Sequence, residues 1–132
     1  MIWFLRVLFT FVLGSMLCVT TWAGLQVSLF AIPRSVGAHP WFIATLFDTY
    51  WGFITFYLWV AYKERGVLAR VLWFAAIMAL GNIAMSLYCL IQLWRVSADA
   101  SIEQVLLHSP RAVSNWIPLS LLAGIAAVAW LA

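Results

Sequence analysis

Few residues in this chain are of types that do chemistry, and most of those sit in apolar surroundings. Asp48 interrupts the run ATLFDTYWGFITFY, residues 44–57. A carboxylate in hydrocarbon costs a few kcal/mol even on the lenient insertion scale, so an acid in such a run marks a site by default. It can carry a proton, anchor a ligand head group or meet a partner helix. The plainer reading is a polar clamp, hydrogen-bonded to Asn82 and to nearby hydroxyls. Thr45, Tyr50 and Trp51 flank Asp48, and aromatic rings around one polar anchor are the usual makeup of a ligand pocket. Packing alone also explains Trp51.

The other candidates are weaker. His39 and His108 lie one in each of the two longer loops. A pair of histidines on one face can ligate a metal or a haem, but such residues more often cap helices or meet water. Cys18 and Cys89 fall at similar depths in their segments. A disulfide needs Cα atoms within about 7 Å, and no CxxC motif is present, so both read as packing residues. Glu64, between Lys63 and Arg65, reads as a solvated ion pair. No nucleophile–base pair and no second carboxylate accompany Asp48. Zinc-type spacing and a glycine-rich phosphate loop are both lacking, and no motif names a cofactor.

The elements that must position these residues follow from composition. Of 132 residues, 67% are hydrophobic and 8% charged, with a mean hydropathy of +1.05. Soluble domains carry about 25% charge, so the chain reads as a single integral membrane domain over residues 1–132. Without a clustered basic face, nucleic-acid binding is excluded. Four apolar segments, near 2–25, 41–62, 71–94 and 115–132, approach the roughly 20 residues that a spanning helix needs. The first could instead be a signal peptide, with Arg6 and TWA at 21–23 as its marks, but its apolar run is long enough to span.

Tryptophan prefers membrane interfaces. Eight of the nine tryptophans pair at segment ends: Trp3 with Trp22, Trp41 with Trp59, Trp73 with Trp94, and Trp116 with Trp130. The first three pairs are about 18 to 21 residues apart, or roughly 27–32 Å at the helical rise. The expected fold is an all-α, up-down-up-down, four-helix membrane bundle. Alternation puts Arg6, Lys63, Arg65 and Arg70 on one side and Arg34, Arg95 and Arg111 on the other. The positive-inside rule then sets both termini in the cytoplasm of a bacterial inner membrane.

Helical spacing puts Trp41, Thr45, Asp48, Gly52 and Thr55 on one face of the second segment, and Ala75, Ala79, Asn82, Ser86 and Cys89 on one face of the third. The second and third segments form a tight antiparallel hairpin whose turn centres near Arg65 and Gly66, so Asp48 and Asn82 should sit at nearly the same depth. Gly14, Cys18 and Thr21 on the first segment and Ser120 and Gly124 on the fourth add small-residue faces of the kind that bring membrane helices together. In the last loop, Ser101 with Gln104 is a capping-box signal. Ile102, Val105 and Leu106 then form the apolar side of a short helix lying at the interface.

WFIATLFDTYWGFITFYLWVAYKER followed by LGNIAMSLYCLIQLWR resembles the central hairpin of a family of small bacterial and plant membrane proteins known only as a domain of unknown function. The resemblance covers residues 41–95. It implies a multi-helix membrane protein with no activity to carry over, and would make Asp48, Tyr62, Lys63, Glu64, Gly81 and Asn82 family features. Small multidrug exporters fit less well, because their acid lies in the first helix.

Three functions are compatible with these residues. The leading one is a non-enzymatic subunit of a larger membrane complex, with lipids and other subunits or a second copy as partners. The second is a binder or enzyme for an apolar molecule such as a quinone, isoprenoid or lipid, anchored by Asp48. The third is an oligomeric proton-coupled carrier.

Overall fold

A computed structural model describes residues 1–27, 31–107 and 115–131. The elements are α1 (Ile2–Gln26), α2 (Arg34–Gly37), α3 (Pro40–Lys63), α4 (Val67–Leu80), α5 (Asn82–Trp94), α6 (Ile102–Leu107) and α7 (Trp116–Leu131), with no strand among the described residues. Pro40 opens α3 at a position where its missing N–H costs nothing, with His39 as N-cap residue. Among the described residues, α1 alone is long and apolar enough to cross a membrane. Helix α3 has the length, but its threonines, tyrosines, tryptophans and Asp48 make it less apolar.

The third apolar run is not one helix. It breaks at Gly81, whose backbone takes φ +52° and ψ −124°. That conformation is open only to glycine in practice. The Gly81 N–H closes α4 on the Ile77 carbonyl, and its own carbonyl opens α5 by accepting from Met85. The chain thus reverses at a single residue. A continuous helix would hold residues 73 and 88 more than 20 Å apart, whereas the Trp73 and Tyr88 rings stack edge to face at 4.9 Å. Hydropathy cannot register this break, because Gly81 is small and its neighbours stay apolar throughout.

The α4–α5 hairpin therefore goes in and comes back. Each arm, 14 and 13 residues, is about 20 Å long, short of the roughly 30 Å hydrocarbon core. Its tip meets α3 at Phe53, whose ring leaves no room for a Cβ on Gly81. Helix α4 packs on α3 and α7, and α5 packs along the first half of α1. The core gathers Val60, Trp73, Ala76, Ile77, Ala84 and Tyr88. A second cluster joins Ile2, Leu93 and Val105. Both ends of the hairpin, the start of α1, the end of α3 and α6 share one end of the molecule.

Several expectations change accordingly. The up-down-up-down path fails at the third run, and with it the alternation that gave the termini a common side. Arg95 moves to the end that holds Arg6, Lys63, Arg65 and Arg70. Trp73 is a fully buried core residue, not an interface marker. The buried face of α4 is Ala69, Trp73, Ala76 and Ile77 rather than Ala75 and Ala79. Gly14 and Cys18 are exposed. The helix at 102–107 forms, but its Val105 side packs on Ile2 and Leu93.

Candidate functional site

Asp48 and Asn82 are both exposed, as are Thr45, Tyr50 and Trp51. The geometric reason is the hairpin. Equal distance from the turn at Arg65 and Gly66 would set Asp48 level with Asn82 only if the third run were one straight helix, but Gly81 abuts Phe53. Asp48 lies five residues, or about 7–8 Å, farther along α3, past the tip. No hydrogen bond joins Asp48 to Asn82. The Thr45, Thr49 and Thr55 hydroxyls each donate to a carbonyl one turn back in α3, so they are satisfied locally and do not clamp the carboxylate. The exposed stripe Trp41, Thr45, Asp48, Gly52 and Thr55 stays uncovered.

His39 is exposed beside Pro40 and caps α3 without a side-chain hydrogen bond. His108 lies outside the described residues. No cluster of metal-ligating groups occurs among the described residues. Both cysteines are free; Cys18 is exposed and Cys89 buried. Helix α5 runs antiparallel to α1, with Cys89 beside Phe9. Cys18 is nine residues beyond, out of disulfide reach.

The buried polar groups lie elsewhere, at the base of the hairpin. Glu64 is 2% exposed and Lys63 4% exposed, so the pair is not solvated at an edge. Tyr88 donates its hydroxyl to Glu64 Oε1 at 3.0 Å, and the buried Gln92 lies one turn on from Tyr88 in α5. Arg70 Nε donates to the Glu64 carbonyl at 2.7 Å. Lys63 Nζ donates to the Val105 carbonyl of α6 and stands 5.3 Å from the Trp59 ring. Desolvation pulls Lys63, just past the apolar run 41–62, below the ordinary lysine value; the adjacent Glu64 opposes that shift. Among the described residues, Glu64 Oε2, Trp73 Nε1 and Gln92 Oε1 are buried without a hydrogen-bond partner. All three side chains adjoin Tyr88.

The sequence carried a sign of this site in YKER, whose lysine and glutamate end α3. What it did not carry was the partner, since Tyr88 reaches Glu64 only because the chain turns back at Gly81.

Beside this cluster lies an apolar cavity of about 280 Å³, walled by Leu5 and Phe9 of α1, Phe56 and Trp59 of α3, Cys89 of α5 and Val105 of α6. Trp59 Nε1 donates to the Leu106 carbonyl at 3.3 Å. Arg6 clasps the same end, donating to the Leu93 and Val96 carbonyls at 2.9 and 2.8 Å with its guanidinium 4.8 Å from the Trp94 ring. The cavity is near the lower end of ligand-pocket volumes, about 300 Å³.

A family model described as "Protein of unknown function (DUF1475)" matches residues 1–113. No curated protein and no solved structure matches the chain.

Proposed function

The chain belongs to the DUF1475 family, whose description assigns no activity, and on the evidence of its own surface we propose that it is a multi-pass membrane protein serving as a non-enzymatic subunit of a larger membrane assembly. The observation that carries this reading is the bare stripe of α3, with the Asp48 carboxylate in its middle. Lipid is a poor neighbour for that group; a protein surface is a good one. In this arrangement α1 and α3 cross the bilayer, α4 and α5 form a re-entrant hairpin, and α6 lies at the interface. Irregular backbone at membrane depth is tolerated where protein or water covers it, and the Phe53 ring covers Gly81 on one side. Five cations, Arg6, Lys63, Arg65, Arg70 and Arg95, gather at one end, which the positive-inside rule assigns to the cytoplasm.

The test is mass spectrometry of proteins and small molecules in the gently extracted chain, wild type beside Asp48→Asn. The expected result is stoichiometric partner protein that is lost from the variant. A bare chain in both forms overturns the reading.

The apolar cavity favours a second reading, a binder of a quinone, isoprenoid or lipid tail. Its polar anchor would then be the Lys63–Glu64–Tyr88 cluster next to the cavity rather than Asp48. A co-extracted apolar molecule that survives Asp48→Asn but not Phe9→Trp, which fills the cavity, would support it.

A further inference from the structure

The bare stripe has a shape and a charge that specify what covers it. Helix α5 packs between α1 and α3 at the cation-rich end, where Leu5, Phe9, Phe56, Trp59 and Cys89 meet around one cavity. It stops at Asn82, and the same helix faces continue past it without cover. On α1 the half-buried series Phe9, Leu13 and Met16 runs on to Thr20 and Ala23, both exposed. On α3, Trp59 packs on Tyr88 at 5.5 Å, and the same stripe runs on through the exposed Thr55, Gly52, Asp48 and Thr45. Large residues line the covered halves of these faces, and mostly small residues line the bare halves.

Small residues let membrane helices approach closely. A Cβ on Gly52 would meet nothing within 4 Å, so the surface there is open to a neighbour's backbone. The spacing 41, 45, 48, 52, 55 alternates four and three, the heptad seam of a left-handed helix pair. The threonine hydroxyls are already bonded within α3, which leaves the Asp48 carboxylate as the stripe's one unsatisfied strong group.

Resting on the reading of this chain as a membrane subunit, we infer that the α3 stripe seats a transmembrane helix of a different protein that carries a lysine or arginine near mid-membrane. Charge complementarity selects this occupant. Among the described residues no cation lies at that depth: Arg6, Lys63, Arg65, Arg70 and Arg95 belong to the base of the hairpin, and Arg34 to α2 at the other end. Arg111 lies outside the described residues. A second copy in the same orientation would bring Asp48 against Asp48, and two carboxylates sharing a site disfavour the charged form of each other. A basic side chain satisfies the acid with a charge-assisted hydrogen bond.

The test uses the full chain in phosphatidylcholine bilayers with a defined probe, a membrane-spanning leucine–alanine peptide bearing one central lysine, followed by fluorescence energy transfer. Its control is the same peptide with a central leucine. The expected result is at least about tenfold tighter association of the lysine peptide, equal to about 1.4 kcal/mol. Asp48→Asn should bring the lysine peptide down to the control level, and Gly52→Leu should weaken it through bulk. Both substitutions are at exposed positions, and unchanged circular dichroism verifies that the helices persist. Equal binding of the two peptides, or indifference to Asp48→Asn, overturns the inference. So does self-association of the chain that Asp48→Asn abolishes while the lysine peptide stays unbound; that outcome leaves the subunit reading standing with a second copy as partner. Absence of any stoichiometric partner in native extracts fails the subunit reading itself, whatever the peptide does.

Discussion

Gly81 joins two helices at a φ of +52°, and a side chain there meets two penalties. Holding an L residue in so sparse a region costs about 1–3 kcal/mol, and its Cβ would clash with Phe53 Cζ. Gly81→Ala should lower stability by at least about 2 kcal/mol, read as a fall in the thermal midpoint in detergent. Adding Phe53→Ala should relieve the clash yet leave the backbone cost, so the double variant stays less stable than Phe53→Ala alone. Tyr88 bears on a different term. Its hydroxyl donates to the Glu64 carboxyl, which is 2% exposed. Leaving a buried acceptor without its donor costs about 1–3 kcal/mol, so Tyr88→Phe should lose that much. Tyr88→Phe combined with Glu64→Leu should recover part of the loss, because an apolar pair leaves no orphaned acceptor. Additive losses in that cycle would refute the coupling.

At the scale of the element, α6 is too short to persist by itself, since isolated helices below about 12 residues are marginal in water. It is held by two side chains of α3, Lys63 donating to the Val105 carbonyl and Trp59 to the Leu106 carbonyl, and by Val105 packed on Ile2 and Leu93. Lys63→Met should therefore raise hydrogen exchange across 102–107 several-fold while α3 stays protected. Equal protection in both forms would show that apolar packing alone holds the strap. The capping-box signal made this helix legible in the sequence. What it rests on was not, because Ile2, Leu93 and Val105 are far apart along the chain and only the hairpin brings them together.

The whole molecule differs from a simple bundle in one checkable way. If the third apolar run crossed the bilayer once, residues 95–101 would emerge on the side of Ser35. On the proposed topology, the hairpin brings them out on the side of Arg65. In a chain with Cys18 replaced by alanine, Ser97→Cys and Arg65→Cys should react with a membrane-impermeant thiol reagent from one side, and Ser35→Cys from the other. All three positions are exposed. Reaction of Ser97→Cys from the side of Ser35→Cys would restore the single crossing.

Composition and hydropathy by themselves determined that the chain is helical and strongly apolar, because those properties are sums over residues and need no partner. The YKER and GN motifs were also visible as features, and the family they pointed to is the one whose model matches. Tertiary structure alone decided which polar groups are buried. Asp48 looked enclosed because its sequence neighbours are apolar, yet enclosure depends on what packs across the helix face, and α5 stops short of it. Glu64 looked solvated because its neighbours are Lys63 and Arg65, yet a single glycine reverses the chain and lays Tyr88 over it. A local window registers residue types along one helix. It cannot register a reversal whose whole signal is one missing Cβ, and that reversal sets which half of every helix has a neighbour.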